Sequence, residues 1–204
     1  MTVAIIDYGA GNVQNVMKAL KVVGVQAVLT RESAEIMQAD GIIIPGVGAF
    51  KSAKQQLDQL GLTNTIQSYA RVGKPVLGVC LGMQMLFDCS TEFGETTGLG
   101  LIPGSVVELP EQENYKVPQM GWNKNRIYQP LPLASQLADK YTFFVHSYYV
   151  KTSQDYIVAD VAYGDVAVPS VVRKGNVIGI QFHPEKSGEV GLAVWRAFAK
   201  MVTA

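Results

Sequence analysis

Short, unbroken apolar runs alternate with helical patterns through residues 1–90, and that alternation constrains the fold more than any other feature. VAIID (3–7), VQAVL (25–29), GIIIP (41–45) and PVLGV (75–79) read as strands. Between the first two, NVQNVMKALKVVG (12–24) carries Val13, Val16, Met17, Leu20 and Val23 at helical spacing. Residues 33–39 read as a short helix. FKSAKQQLDQLG and LTNTIQSYARVG read as two more, stopped by Gly61 and Gly73. LGMQMLFDC (81–89) reads as the next helix. Strands that are apolar throughout, rather than alternating, are buried on both faces. The expectation is an α/β fold: a mostly parallel central sheet with helices on both faces.

After residue 98 the texture changes. VVEL, RIYQ, YTFFVHSYYV, YIVADVAY, VAVPSVVRKG and NVIGIQFH are β-rich and separated by turns, so this half is expected to be more antiparallel. GLAVWRAFAKMV reads as a closing amphipathic helix. With no repeat and no linker, the simplest organisation is one domain over 1–204.

Composition narrows the functional classes. Seventeen basic and seventeen acidic residues leave no net charge, and no basic block is present. Nucleic acid and anionic membranes are not suggested as partners. No stretch has the length of a membrane span, and the N-terminus lacks a signal-peptide pattern. Two cysteines in 204 residues make no disulfide framework and point to a reducing compartment, the cytoplasm.

One of those cysteines sits on a sharp corner. In Gly78-Val79-Cys80-Leu81-Gly82 a strand runs straight into a helix, with glycines two residues on either side of the thiol. This is the form of a nucleophile elbow, with cysteine in the serine position. The turn projects the side chain, and the neighbours must be small. Unpaired N–H groups at the helix start favour a negative sulfur, and that of Leu81 can face an oxyanion. Taken alone, Cys80 is equally a small buried hydrophobe. A nucleophile needs a base, and the chain has only two histidines. His183 is followed two residues on by Glu185. In extended chain the two point the same way, so the carboxylate can orient the imidazole. Cys80, His183 and Glu185 then form a nucleophile–base–acid set. His146, in FFVHSYYV, has no such acid and reads as a satisfied strand histidine. Cys89 reads as core at the far end of the Cys80 helix.

Other loops point at the same place. GIIIP runs into Gly46-Val47-Gly48, and ligands gather at the carboxyl ends of such strands. Backbone N–H groups of Val47 or Gly48 can supply a second oxyanion donor. Gln84, four residues after Cys80, shares its helix face and can offer an amide to a polar ligand. DYGAGN (7–12) fails as a dinucleotide loop because Gln14 stands where glycine is required. It reads as a tight turn with Asn12 capping the following helix.

Together these motifs resemble a known family. GVCLGMQ and FHPEKS are similar to the class I (triad) glutamine amidotransferases. DYGAGN, PGVGAF, PQMGWN and FVHSYYV resemble, within that group, the glutaminase subunits of imidazole glycerol phosphate synthase, an enzyme of histidine biosynthesis. The resemblance runs from residue 5 to residue 187. It implies that Cys80 attacks the side-chain amide of glutamine to form a glutamyl thioester. His183 takes the thiol proton and passes one to the departing ammonia, and Glu185 orients His183. Val47, Gly48 and Leu81 supply oxyanion donors. Gly48, Gln84, Ser147 and Tyr148 hold the amino-acid part of glutamine. No cofactor and no metal are implied. The implied partner is a (β/α)₈ barrel synthase subunit, which receives the ammonia and makes imidazole glycerol phosphate and an aminoimidazole carboxamide ribotide. Asn12, Asn15, Trp122 and Lys186 match interface positions. Trp122 otherwise reads as a core aromatic, though its Gly- and Asn-flanked setting suits a core strand poorly. The family usually has histidine just before MGWN, where Gln119 stands here, which bears on the interface. The resemblance also implies low activity until the partner binds, through a backbone carbonyl near Val47 that blocks the oxyanion hole until a peptide flips. Gly46 and Gly48 flank that peptide and make a flip sterically easy.

Three other readings remain. The chain can serve a different acceptor, act alone as a cysteine hydrolase, or use an elbow cysteine for redox sensing without catalysis.

Overall fold

The computed structural model describes residues 1–9 and 11–203. Ala10, within the turn read over 7–12, lies outside the described residues. Six α-helices and thirteen strands are present among those described. β1 (Thr2–Ile6), α1 (Val13–Val22), β2 (Gln26–Thr30), α2 (Ser33–Gln38) and β3 (Gly41–Ile44) follow the expected order. α3 (Phe50–Gln59), α4 (Leu62–Arg71), β4 (Val76–Val79) and α5 (Leu81–Met85) come next. Gly61 and Gly73 adopt φ of 69° and 82°, the left-handed conformation that stops a helix.

The β-rich half supplies β5 (Cys89–Ser90), β6 (Thr96–Thr97), β7 (Ser105–Glu108), β8 (Gln119–Ile127) and β9 (Tyr141–His146). It continues with β10 (Tyr148–Lys151), β11 (Ile157–Tyr163), β12 (Val166–Lys174) and β13 (Val177–Ile180), then α6 (Gly188–Val202). Nine strands form one sheet in the order β2-β1-β3-β4-β13-β12-β11-β8-β9. From β2 to β13 all pairings are parallel. From β13 to β9 all are antiparallel. The two textures of the sequence are thus two ends of one sheet. A second sheet, β10-β7-β5-β6, packs beside it.

Helices cover both faces, and the strands show it residue by residue. Val3 and Ile5 of β1 pack in one core with Val16 and Leu20 of α1 and Trp195 and Phe198 of α6. Ala4 and Ile6 pack in another with Ile36, Leu57 and Ile66 of α2, α3 and α4. A strand buried on both sides has no polar face to alternate with. Among the described residues no helix is long and apolar enough to cross a membrane.

Four expectations need correction. The helix read over 81–89 ends at Met85. The carbonyls of Met85, Leu86 and Phe87 accept instead from the N–H groups of Leu99, Leu101, Ile102 and Gly100. Cys89 therefore opens β5 and is half-buried rather than core. YTFFVHSYYV is not one strand: it breaks at Ser147, and its halves join different sheets. Asn12 begins α1 but makes no side-chain cap; its backbone carbonyl accepts from Asn15 and Val16.

Candidate active site

Cys80 occupies the corner between β4 and α5 with φ 54° and ψ −112°, a conformation costly for any residue with a Cβ. The flanking glycines answer a need for space. A Cβ on Gly78 would lie 2.5 Å from the Gly82 carbonyl oxygen. One on Gly82 would lie 1.8 Å from the Ile44 carbonyl oxygen. Neither glycine has a positive φ. They let α5 start directly against the ends of β3 and β4, which turns Cys80 outward.

β13 lies parallel beside β4, with Ile180 opposite Val79. The chain leaving β13 therefore passes Cys80, whose N–H donates to the Ile180 carbonyl at 2.8 Å. His183 then docks on β9. Its N–H donates to the Phe143 carbonyl at 2.9 Å. The Ser187 hydroxyl donates to the His183 carbonyl at 2.7 Å and accepts the Phe143 N–H at 3.1 Å. The Nδ1 of His183 lies 2.8 Å from Glu185 Oε1, and both side chains are 2% exposed. A carboxylate only accepts, so the Nδ1 carries a proton. The Nε2 is buried without a hydrogen-bond partner among the described residues. Burial disfavours the charged ring. The Cys80 sulfur and the Glu185 carboxylate outweigh it and raise the pKa of His183 to about 9.

A cleft of about 330 Å³ opens over these groups. Cys80, His183, Val47, Gly48, Leu81, Gln84, Ser147 and Tyr148 all line it, so every expected oxyanion and substrate position reaches one place. The break at Ser147 is what turns the chain across the cleft. Gly48 has φ 100° with open space around its missing Cβ. Gly46 is crowded instead: a Cβ there would stand 2.7 Å from the Tyr8 hydroxyl and 2.8 Å from Leu81. Of the two glycines expected to free the intervening peptide, only Gly48 has that freedom. Gln84 also differs from its expected use. Its Nε2 donates to the Tyr148 carbonyl at 2.8 Å and to Gln181 Oε1 at 3.1 Å. Both amide hydrogens are engaged inside the protein, which leaves Oε1, an acceptor, for a ligand.

The ring of His146 is tied to the backbone. It lines the cleft, but its Nδ1 bonds the Tyr148 carbonyl at 2.8 Å. Burial, offset only in part by that bond, lowers its pKa to about 4, and the charge of His183 adds to the lowering. It is only partly satisfied, since its Nε2 is buried and unpartnered among the described residues. Glu92 was missed from sequence. It is the single carboxylate among the residues lining the cleft, and its Oε2 also accepts the Phe50 N–H at 2.6 Å at the start of α3. Nothing in TEFGE marks it, because only the placement of α3 and β5 brings it there.

The expected interface positions flank the triad. Trp122 is 53% exposed on β8 and is therefore not a core aromatic. Its ring meets Phe143 edge-on at 5.9 Å, and Lys186 Nζ lies 5.7 Å from the centre of the Phe143 ring. Asn15 is exposed and shares a surface cleft with Pro184 and Glu185, while Asn12 is half-buried at the start of α1. Gln119 is fully buried, opposite His146 in register, and donates to Asn123 Oδ1 at 3.0 Å. It is thus not an exposed interface group.

The comparisons agree with this geometry. Residues 4–199 match the family described as glutamine amidotransferase class-I. The imidazole glycerol phosphate synthase subunit HisH of Lacticaseibacillus casei is 52% identical over 98% of this chain and 95% of its own. The subunit of the same name from Lactiplantibacillus plantarum is 50% identical over 98% and 96%. A solved glutamine amidotransferase superposes with a TM-score of 0.78 at 18% identity, covering 99% of each chain, which shows the shared fold. With a strained cysteine corner facing a carboxylate-held histidine, and these matches over almost its whole length, the chain belongs to the class-I glutamine amidotransferase family.

Proposed function

We propose that this chain is the glutaminase subunit of an imidazole glycerol phosphate synthase, acting as a single amidotransferase domain in the cytoplasm. The observation that carries the chemistry is Cys80, strained at φ 54°, beside a His183 that Glu185 holds at 2.8 Å. A His183 pKa of about 9 favours its imidazolium form at neutral pH, and in the proposed cycle Cys80 reacts as the thiolate beside it. The Cys80 sulfur attacks the side-chain carbonyl of glutamine. The N–H groups of Leu81 and of the Val47–Gly48 loop receive the oxyanion. His183 gives its proton to the departing nitrogen, and ammonia leaves with a glutamyl thioester behind. The neutral imidazole then takes a proton from water as the water attacks the thioester. Glutamate departs and the ion pair is restored. Gly48, Gln84, Ser147 and Tyr148 hold the amino acid around this reaction.

The partner in this reading is a (β/α)₈ barrel synthase subunit that consumes the ammonia in histidine biosynthesis. Its support is the names of the relatives and an exposed surface beside the triad. There Met120 and Trp122 stand 65% and 53% exposed, with Lys186 and Asn15 nearby and Asn12 at the head of α1. The open φ of Gly48 is where a resting oxyanion loop can turn. Gly48→Pro, which cannot adopt a positive φ, is expected to remove partner stimulation of glutaminase turnover. An unchanged stimulated rate would end the loop-flip reading.

The deciding experiment measures glutamate release by the chain alone, then with a barrel synthase subunit and its nucleotide. Slow release alone and strong stimulation together is expected. Equal rates would identify a free-standing hydrolase. Stimulation only by another pathway's synthase would assign a different acceptor.

A further inference from the structure

Behind the cleft, three amides and a sulfur form a chain whose donor directions are forced. The Tyr148 carbonyl can only accept, so the group of Gln84 that faces it at 2.8 Å is the NH₂. The second hydrogen of that NH₂ points at Gln181, 3.1 Å away, which must therefore present its oxygen. The NH₂ of Gln181 is left facing Cys80 Sγ at 3.7 Å, within the longer reach of a sulfur acceptor. Flipping Gln181 would set two donors against each other and turn an oxygen toward the sulfur. Gln181 is fully buried, and its backbone N–H is tied to the Ser170 carbonyl at 3.0 Å. No water competes for its amide, so the hydrogen bond acts at low dielectric.

We propose that Gln181 is a catalytic residue: its amide holds Cys80 Sγ as a hydrogen-bond acceptor, stabilises the thiolate, and takes its direction from Tyr148 through Gln84. His183 and Gln181 then address the same sulfur from two sides. The imidazolium gives up its proton during turnover, whereas the amide keeps its hydrogens and waits for the sulfur that the thioester returns. A hydrogen bond to an ion is stronger than one to a neutral group, so the amide favours thiolate over thiol.

This role rests on Cys80 being the nucleophile proposed above, but alkylation reads the sulfur without glutamine. The test follows iodoacetamide labelling of Cys80 and Cys89 separately by peptide mass in the full chain, for the parent, Gln181→Met and Gln181→Glu. Cys89, in β5, makes no hydrogen bond to Gln181 among the described residues and serves as the internal reference. Thiolate fraction governs alkylation. Gln181→Met is expected to slow Cys80 labelling at pH 7 by about tenfold and to move its pH profile upward, with Cys89 unchanged. Gln181→Glu keeps the shape and the acceptor for Gln84 but puts a carboxylate at the sulfur, and is expected to slow labelling further. Glutaminase kcat falls in parallel while KM for glutamine stays within about twofold. Parental Cys80 labelling in a Gln181→Met chain that melts like the parent would reduce Gln181 to packing. Where Gln181→Met does not fold, parental labelling in Gln181→Glu overturns the proposal equally. Slowed labelling in a chain that releases no glutamate even as the parent would keep the Gln181–sulfur bond and discard the glutaminase reading.

Discussion

The two histidines pull the stability of the chain in opposite directions with pH. His183 is raised from 6.5 to about 9, so the folded state binds its proton more tightly than the unfolded state. Its contribution is complete below pH 6.5 and is lost as pH climbs through 9. His146 is lowered from 6.5 to about 4, so the unfolded state binds its proton more tightly. Its contribution is complete above pH 6.5 and is lost as pH falls toward 4. Thermal melts are expected to show the gap between parent and His183→Asn shrinking from pH 6.5 to pH 9 and levelling off above it. His146→Gln is expected to flatten the acid limb between pH 6.5 and 4. A gap that is constant across either window would contradict the assigned charge states. Glu92 makes a different prediction. As the one carboxylate lining the cleft it can pair with the ammonium of a bound amino acid. Glu92→Gln is expected to raise KM for glutamine by about tenfold with a smaller change in kcat. An unchanged KM would leave Glu92 only its bond to the Phe50 N–H.

At the scale of elements, the corner between β4 and α5 depends on what its glycines leave out. Gly82→Ala would put a methyl 1.8 Å from the Ile44 carbonyl oxygen, against backbone that cannot rotate away. The expected cost is about 3 kcal/mol in denaturant unfolding, with glutaminase turnover lost as α5 is pushed from β3. Full activity in Gly82→Ala would mean that α5 can shift without moving Cys80. The corner was legible beforehand, because the G-x-C-x-G pattern is a local steric demand. The length of α5 was not. Leu86 and Phe87 continue a helical pattern, yet their carbonyls pair with a segment that returns over 99–102. Likewise the break at Ser147 carries no glycine or proline. It exists because β9 and β10 find partners in different sheets.

Across the whole molecule, β13 is the element that makes a site. It crosses from the antiparallel half and inserts beside β4, so His183 meets a cysteine of the parallel half. β9 receives His183 on its edge and carries Phe143, on which Trp122 and Lys186 converge. A half-exposed aromatic contributes little to folding and can contribute much to an interface. Trp122→Ala is expected to lower the melting stability by less than about 1 kcal/mol and to weaken synthase-subunit binding by about 2 kcal/mol or more in calorimetry. Undiminished binding would place the partner on another face.

From its sequence alone the chain determined its strand–helix alternation, its elbow and the pairing of His183 with Glu185. Each depends on backbone sterics or side-chain period over a few residues. The tertiary structure alone decided that Glu92 reaches the cleft and that Gln181 must turn its amide toward Cys80. Those outcomes follow from strand insertion and hydrogen-bond direction between residues far apart in the chain, which no local pattern encodes.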